Sequence, residues 1–178
     1  MKILGTDEGL VVFDKWFREA ENSLFKAELL QNYSAIDDGP SLQAWCNGDK
    51  DASRSLAREL VAPWIAKRQA TTASITRVRV VERPFSTYLS WQLACVYPAF
   101  QDAQVETIHL VPKEKLVNVL LPYGDFWIFD ERRVIERRYE GPNNAMAGAM
   151  LVEGQRAVER YLALRDELLD NVSDVESP

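Results

Sequence analysis

Ile75-Thr76-Arg77-Val78-Arg79-Val80-Val81-Glu82 is a short β-branched run, followed at once by Arg83-Pro84. Val, Ile and Thr suit a pleated surface, so the run predicts a strand. Side chains alternate along a strand, which puts Arg77 and Arg79 on one face, with Arg83 following at its end. Beyond Pro84, Phe85, Tyr88, Leu89, Leu93 and Val96 recur at helical steps until Pro98. Residues 105–111 then alternate again as a second strand around His109. Strand, helix, strand is the unit from which a parallel pair is built.

Downstream, residues 116–121 are a weaker strand candidate. Residues 125–130 and 133–139 predict a hairpin turning at Asp130-Glu131-Arg132. Residues 150–169 return to helical spacing through Leu151, Val158, Leu162 and Leu168. Upstream, Phe13, Trp16, Phe17, Ala20, Leu24 and Ala27 predict one helix over 10–31. Asp37-Asp38-Gly39-Pro40 is a turn by composition, and Ser41 can cap a short helix through Trp45. Residues 52–72 predict a helix with a break or kink before Pro63. The expected fold is α/β (or α+β): a mixed β-sheet of about five strands with N-terminal and C-terminal helices packed on it. Residues 1–170 are expected to form one globular domain, and 171–178 an acidic flexible tail.

The chain has 178 residues, 21 Lys and Arg against 27 Asp and Glu, and a net charge of −6, which disfavours direct binding to nucleic acid. No apolar run approaches membrane-spanning length, so no membrane partner is expected. The N-terminal residues turn acidic at Asp7-Glu8, too soon for a signal peptide, which predicts a cytoplasmic location. Cys46 and Cys95 are expected to be small buried hydrophobes. His109 is the single histidine, which excludes histidine-based triads and multi-histidine metal sites. Neither phosphate-cradling glycine loops nor zinc or calcium patterns occur, so no cofactor and no metal is expected.

Arginine offers the chemistry that remains. Arg77, Arg79 and Arg83 form one cluster, and Arg132, Arg133, Arg137 and Arg138 a second. Where such strands neighbour one another, guanidinium forks can converge on a carboxylate or phosphate. The competing reading is solvent-facing arginine paired with Glu82, Glu131, Glu136 and Glu140. Glu21 and Glu28, seven apart on the expected helix, could face Arg77 or Arg79 as a buried ion network. Asp125 and Asp130 bracket an apolar strand and lie too far apart to act as a pair, so turn and cap roles are expected. The five tryptophans fall on or beside apolar stripes, where core packing is the default.

Four stretches occur together in order: Phe13-Asp14-Lys15-Trp16-Phe17; Ala20-Glu21-Asn22-Ser23-Leu24-Phe25-Lys26-Ala27-Glu28 with Tyr33 after it; Arg77-Val78-Arg79-Val80-Val81 with Pro84 and Tyr88-Leu89; and Gly124-Asp125-Phe126-Trp127-Ile128-Phe129-Asp130. In this combination the chain resembles, over residues 11–170, an uncharacterised actinobacterial family classed as a domain of unknown function. That family is often encoded beside helix-turn-helix regulators, which implies a regulatory or sensing setting and a DNA-binding regulator as partner. It carries no established catalytic residues. The sheet also faintly resembles phospholipase-D-like domains, but the paired His, Lys and Asp of that chemistry are missing here.

The expected function is a non-enzymatic regulatory or interaction module, sensing a small anionic ligand or partnering a DNA-binding regulator. Its binding residues are expected to be Arg77, Arg79, Arg83, Arg133, Arg137, Glu28 and Asp130. One alternative is a degenerate or novel enzyme acting on a phosphate-containing or nucleotide-like substrate, with Asp130 or Glu28 as base. Another is an antitoxin-like protein using the acidic tail from Asp166 to Glu176.

Overall fold

The computed structural model describes residues 1–33, 39–122 and 124–173. The elements run β1 (Lys2–Leu4), α1 (Thr6–Glu19), β2 (Ser23–Glu28), α2 (Gly39–Cys46), α3 (Lys50–Gln69) and β3 (Ser74–Val81). A long helix follows: α4 (Thr87–Trp91), a π-helical turn (Gln92–Val96) and α5 (Tyr97–Asp102). Then come β4 (Thr107–Pro112), β5 (Phe126–Phe129), β6 (Arg133–Glu140), β7 (Ala145–Val152) and α6 (Gln155–Asp170). All strands belong to one mixed sheet of order β1-β7-β6-β5-β2-β3-β4, in an α+β arrangement. The strands number seven, not about five.

Strands β2, β3 and β4 are parallel, joined by helical crossovers. The rest of the sheet is antiparallel. Two helical layers share one face. Phe13 and Phe17 of α1 pack on Leu24, Trp127, Phe129 and Ile135. Ala57 and Val61 of α3 pack with Leu89, Trp91, Val96 and Phe100 over the β3–β4 end. The opposite face is covered by α6, whose Val158 and Leu168 join Phe25, Val78, Val80, Phe126 and Ile128.

Several expected boundaries are corrected. The single helix over 10–31 is α1 plus β2, so Glu21 and Glu28 do not share a helix face. The cause is long-range. Asp130 accepts hydrogen bonds from the backbone N–H groups of Glu21, Asn22 and Ser23 at 3.1, 2.8 and 3.0 Å. These are donors that a continuing helix would have used internally. The helix over 150–169 is likewise a strand and a helix, parted at Gly154 (φ 93°). The candidate strand over 116–121 is replaced by a 3-10 turn at Lys113–Leu116 and irregular chain.

Helix α3 runs through Pro63 without a break, held by Ala57 and Val61, which are buried on its inner face. Pro98 does not end the third helix but opens α5, at a position where its missing N–H costs little. Ser41 lies inside α2, and its hydroxyl donates to the Ser53 carbonyl and accepts from Trp91 Nε1 instead of capping. Cys95 is buried, whereas Cys46 is exposed at the end of α2. Of the expected turn Asp37-Asp38-Gly39-Pro40, Gly39 and Pro40 open α2 instead, while Asp37, Asp38 and the tail beyond Ser173 lie outside the described residues. Among the described residues no helix is long and apolar enough to cross a membrane.

Asp130 therefore fixes the register of β2. Burial alone raises its carboxyl, but the three N–H donors outweigh burial and hold it below the ordinary aspartate value. A depressed folded pKa contributes stability that is present above the unfolded pKa of about 3.9 and is lost as pH falls through the folded value. Asp130→Asn should lower stability at pH 7 by about 1–3 kcal/mol and flatten the acid limb of a stability-versus-pH curve from urea denaturation.

Candidate functional site

The two helical layers meet where Phe13 of α1 lies edge-on to Trp64 of α3 at 6.3 Å and Lys67 pairs with Asp14. Beside that contact, the middle of the sheet is the floor of a cleft of about 830 Å³, walled by α3 with the long helix and by the β6–β7 end. Its floor is charged. Lys26 of β2 stands between Arg77 of β3 and Trp127 of β5 in one cross-strand row, and Glu28 is level with Arg79 in the next. Asp125 and Arg137 continue the floor toward β6. Gly124 allows this approach, because a Cβ there would lie 1.8 Å from the Arg137 carbonyl oxygen.

The charges form a connected network. Arg77 donates to Glu28 at 3.1 Å and reaches Glu106 at 2.9 Å. Glu106 also pairs with Arg68 at 2.8 Å. Glu28 is bonded by Lys26, accepts from the Tyr97 hydroxyl at 2.5 Å and lies 3.6 Å from Arg79. Arg79 donates to the Tyr33 hydroxyl at 3.1 Å. Asp125 accepts from the Leu29 N–H and the hydroxyls of Tyr33 and Tyr139 at 2.8, 2.9 and 2.8 Å.

Environment sets the protonation states. Burial raises the Glu28 carboxyl, but Arg77, Lys26 and Arg79 together hold it well below the ordinary value. Burial and the Arg77 cation pull Lys26 down to about 8, against the pull of Glu28. Burial and the neighbouring Glu28 raise Asp125 despite its donors. Burial brings Arg68 down to about 10, partly offset by Glu106.

The balance is cationic. Among the described residues, Lys26, Arg68, Arg77 and Arg137 line the cleft with Glu28 and Asp125, and Arg79 and Glu106 join the network beside it, in a chain of net charge −6. Several donors of buried side chains have no hydrogen-bond partner among the described residues: Arg68 Nε and Nη1, Arg77 Nε, Arg79 Nε and Nη2, and Trp127 Nε1. An unused buried donor costs about 1–3 kcal/mol. Aromatic faces recover part of that, with Arg68 4.7 Å from the Phe100 ring centre and Arg77 5.2 Å from that of Tyr97.

Of the residues singled out from sequence, Arg77, Arg79, Glu28 and Arg137 come together in or directly beneath the cleft. Arg83 stands beyond the end of β3, 4.5 Å from the Phe85 ring centre. Arg133 pairs with Glu19 of α1 at 2.7 Å, and Asp130 is spent on the β2 turn. The two arginine clusters do not converge as units, because β5 and β2 separate β6 from β3. Lys26, Arg68, Gln92, Asp125, Trp127 and Tyr139 line the cleft and were not singled out as ligand-binding from sequence. The signal for Lys26 was present: Leu24, Lys26 and Glu28 alternate with Phe25 and Ala27, the period of a strand. Among the described residues no group of three or more His, Cys, Asp and Glu could hold a metal ion.

These features define a class: an α+β protein with a mixed sheet whose open middle carries a cation-rich cleft walled by α3 and the long helix. The family model of a domain of unknown function, DUF6879, matches residues 12–177, and the chain belongs to that family. No curated protein matches the chain.

Two outcomes follow from the network. Glu28→Gln leaves Lys26, Arg77 and Arg79 short of their shared counter-ion and should cost about 3–5 kcal/mol in urea denaturation. Lys26, at about 8 in the folded state, gives up its proton there before it does in the unfolded chain at about 10.4. Between those values the unfolded chain binds more protons, so stability should rise with pH from about 8 to 9.5. Lys26→Met should abolish that rise.

Proposed function

We propose that the protein is a binding module that senses a small anionic ligand in the central cleft. The observation that carries this reading is the surplus of cations, with unused donors on buried Arg68, Arg77 and Trp127, around a cleft of 830 Å³. Sites for small ligands typically span roughly 300–1,000 Å³. Binding is favoured over turnover by the state of the carboxylates. Glu28 is held ionised by three cations, and Asp125 already accepts three hydrogen bonds. A general acid or base needs a proton site that it can give up or fill. The resemblance to actinobacterial proteins encoded beside helix-turn-helix regulators adds the setting: the bound and free states would be read by a DNA-binding partner in the cytoplasm.

The test is calorimetry with inorganic phosphate, citrate and simple phosphate monoesters at low ionic strength, alongside thermal melts. At least one anion should bind saturably. Arg137→Gln, at the half-buried edge of the floor, should weaken it about tenfold while leaving the melting temperature of the free protein within about 2 °C. If no anion binds, the reading is wrong.

A further inference from the structure

The cleft has two chemically different halves. Its floor is cationic, but the α3 wall is Leu60, Pro63 and Trp64, and Met146 lies on the β6–β7 side. Trp64 is 38% exposed, unlike Trp91 and Trp127 at 0% and 1%. Phe13 meets the Trp64 ring edge-on at 6.3 Å and the Lys67 ammonium lies 5.0 Å from its centre, and planar ligand groups stack on aromatic faces that stay exposed. Arg68 ties the two halves together, since its guanidinium lies 5.4 Å from the Trp64 ring centre and it pairs with Glu106 beside Arg77.

A further polar group lies in the helical wall. Gln92 opens the π-helical turn, and π turns recur at functional sites. Its Nε2 end donates to the Tyr88 hydroxyl at 3.3 Å, while Oε1, buried in a side chain 7% exposed, has no donor among the described residues. A ligand meeting this wall would offer an N–H or O–H. Among the described residues that line the cleft, four cations (Lys26, Arg68, Arg77 and Arg137) against two carboxylates (Glu28 and Asp125) leave two positive charges in surplus. A carboxylate supplies one negative charge, whereas a phosphate monoester carries about −1.5 to −2 at pH 7.

Building on the anion-binding reading above, we infer that the ligand is a phosphate monoester carrying a planar heteroaromatic ring with an N–H donor, in kind a nucleoside 5′-monophosphate. The phosphate lies toward Arg77 and Arg137, the ring lies against Trp64, and its donor faces Gln92. Phosphate and base then each use the half of the cleft that suits them, and the two together bind more tightly than either alone.

The experiment is calorimetry with AMP, CMP, ribose 5-phosphate, adenosine, inorganic phosphate and citrate, on the wild-type chain and on Trp64→Ala. Trp64 is partly exposed, so the variant is expected to fold, and its melting curve checks that it has. AMP or CMP should bind roughly tenfold or more tightly than ribose 5-phosphate, in line with the effect of stacking a base on an aromatic ring. Adenosine alone should bind too weakly to saturate. In Trp64→Ala, nucleotide affinity should fall to that of ribose 5-phosphate, whose own affinity should not change. Should ribose 5-phosphate or inorganic phosphate bind as tightly as AMP, the inference is overturned while anion binding stands. A nucleotide preference that survives in Trp64→Ala overturns it as well. Citrate binding without any phosphate ester binding removes the nucleotide and keeps the anion site, and no binding by any of these removes both.

Discussion

Everything on the cleft side of the sheet depends on how Glu28 is neutralised. Three cations, Lys26, Arg77 and Arg79, stand on the interior strands β2 and β3 with little access to water, and one carboxylate serves all of them. Removing such charges from water costs several kcal/mol each unless counter-charge and hydrogen bonds replace the lost hydration. Replacement here is geometric. The parallel pairing of β2 with β3 sets Glu28 level with Arg79 and one strand position along from Arg77, within reach of both. A slip of one residue would turn these groups to the face covered by α6, among Phe25, Val78 and Ile128. The network therefore selects the register as firmly as the apolar core does, and Asp130 holds the start of β2 so that the register is met.

The same charged row divides the apolar cover of this face. Apolar faces bury against apolar faces, and each layer finds its own: α1 on Trp127, Phe129 and Leu24, the α3 group around Leu89, Trp91 and Phe100. The layers touch at Phe13 and Trp64 and at the Lys67–Asp14 pair. Trp127 stands at the seam. Its ring packs against Phe13 and Phe17 of α1 at 5.1 and 6.3 Å, and Lys26 lies 5.4 Å from its centre. At the opposite end Tyr33 accepts from Arg79 and donates to Asp125, and Tyr139 donates to the other oxygen of Asp125, so the floor is braced from both strand pairs.

How much of this was legible in the sequence turns on particular stretches. The run at 75–82 announced β3, and its alternation placed Arg77 and Arg79 on one face as observed. The hairpin at Asp130-Glu131-Arg132 was equally readable, since Asp tolerates the positive φ of 49° found there. Hidden were β2 and β7. Leu24 and Ala27 happen to continue the helical phase of α1, and Ala145–Val152 is rich in Ala and Met, which favour helices. In both cases the strand is imposed by neighbours distant in sequence, β5 and β3 for β2, β6 and β1 for β7. Propensity is local and cannot register such pairing. Misreading β2 as helix hid half of the site, because Lys26 then had no reason to stand beside Arg77.

A buried ionic network need not bind anything, since such networks also serve only to fix a fold. What separates this one is its imbalance. A purely structural network tends to close on itself, each guanidinium spending its donors on carboxylates. Here Arg79 spends one nitrogen on a tyrosine hydroxyl, and Arg68 leaves Nε and Nη1 without partners among the described residues. Glu106 is shared between Arg68 and Arg77, so neither has a carboxylate of its own to complete its fork. The fold thus bears the cost of cations that it does not fully satisfy, and two of them, Arg68 and Arg77, line the cleft while packed against Phe100. An anion entering from that side would supply the counter-charge that the strands withhold. Because β2 and β3 are paired on both sides within the sheet, it would meet donors already held in position.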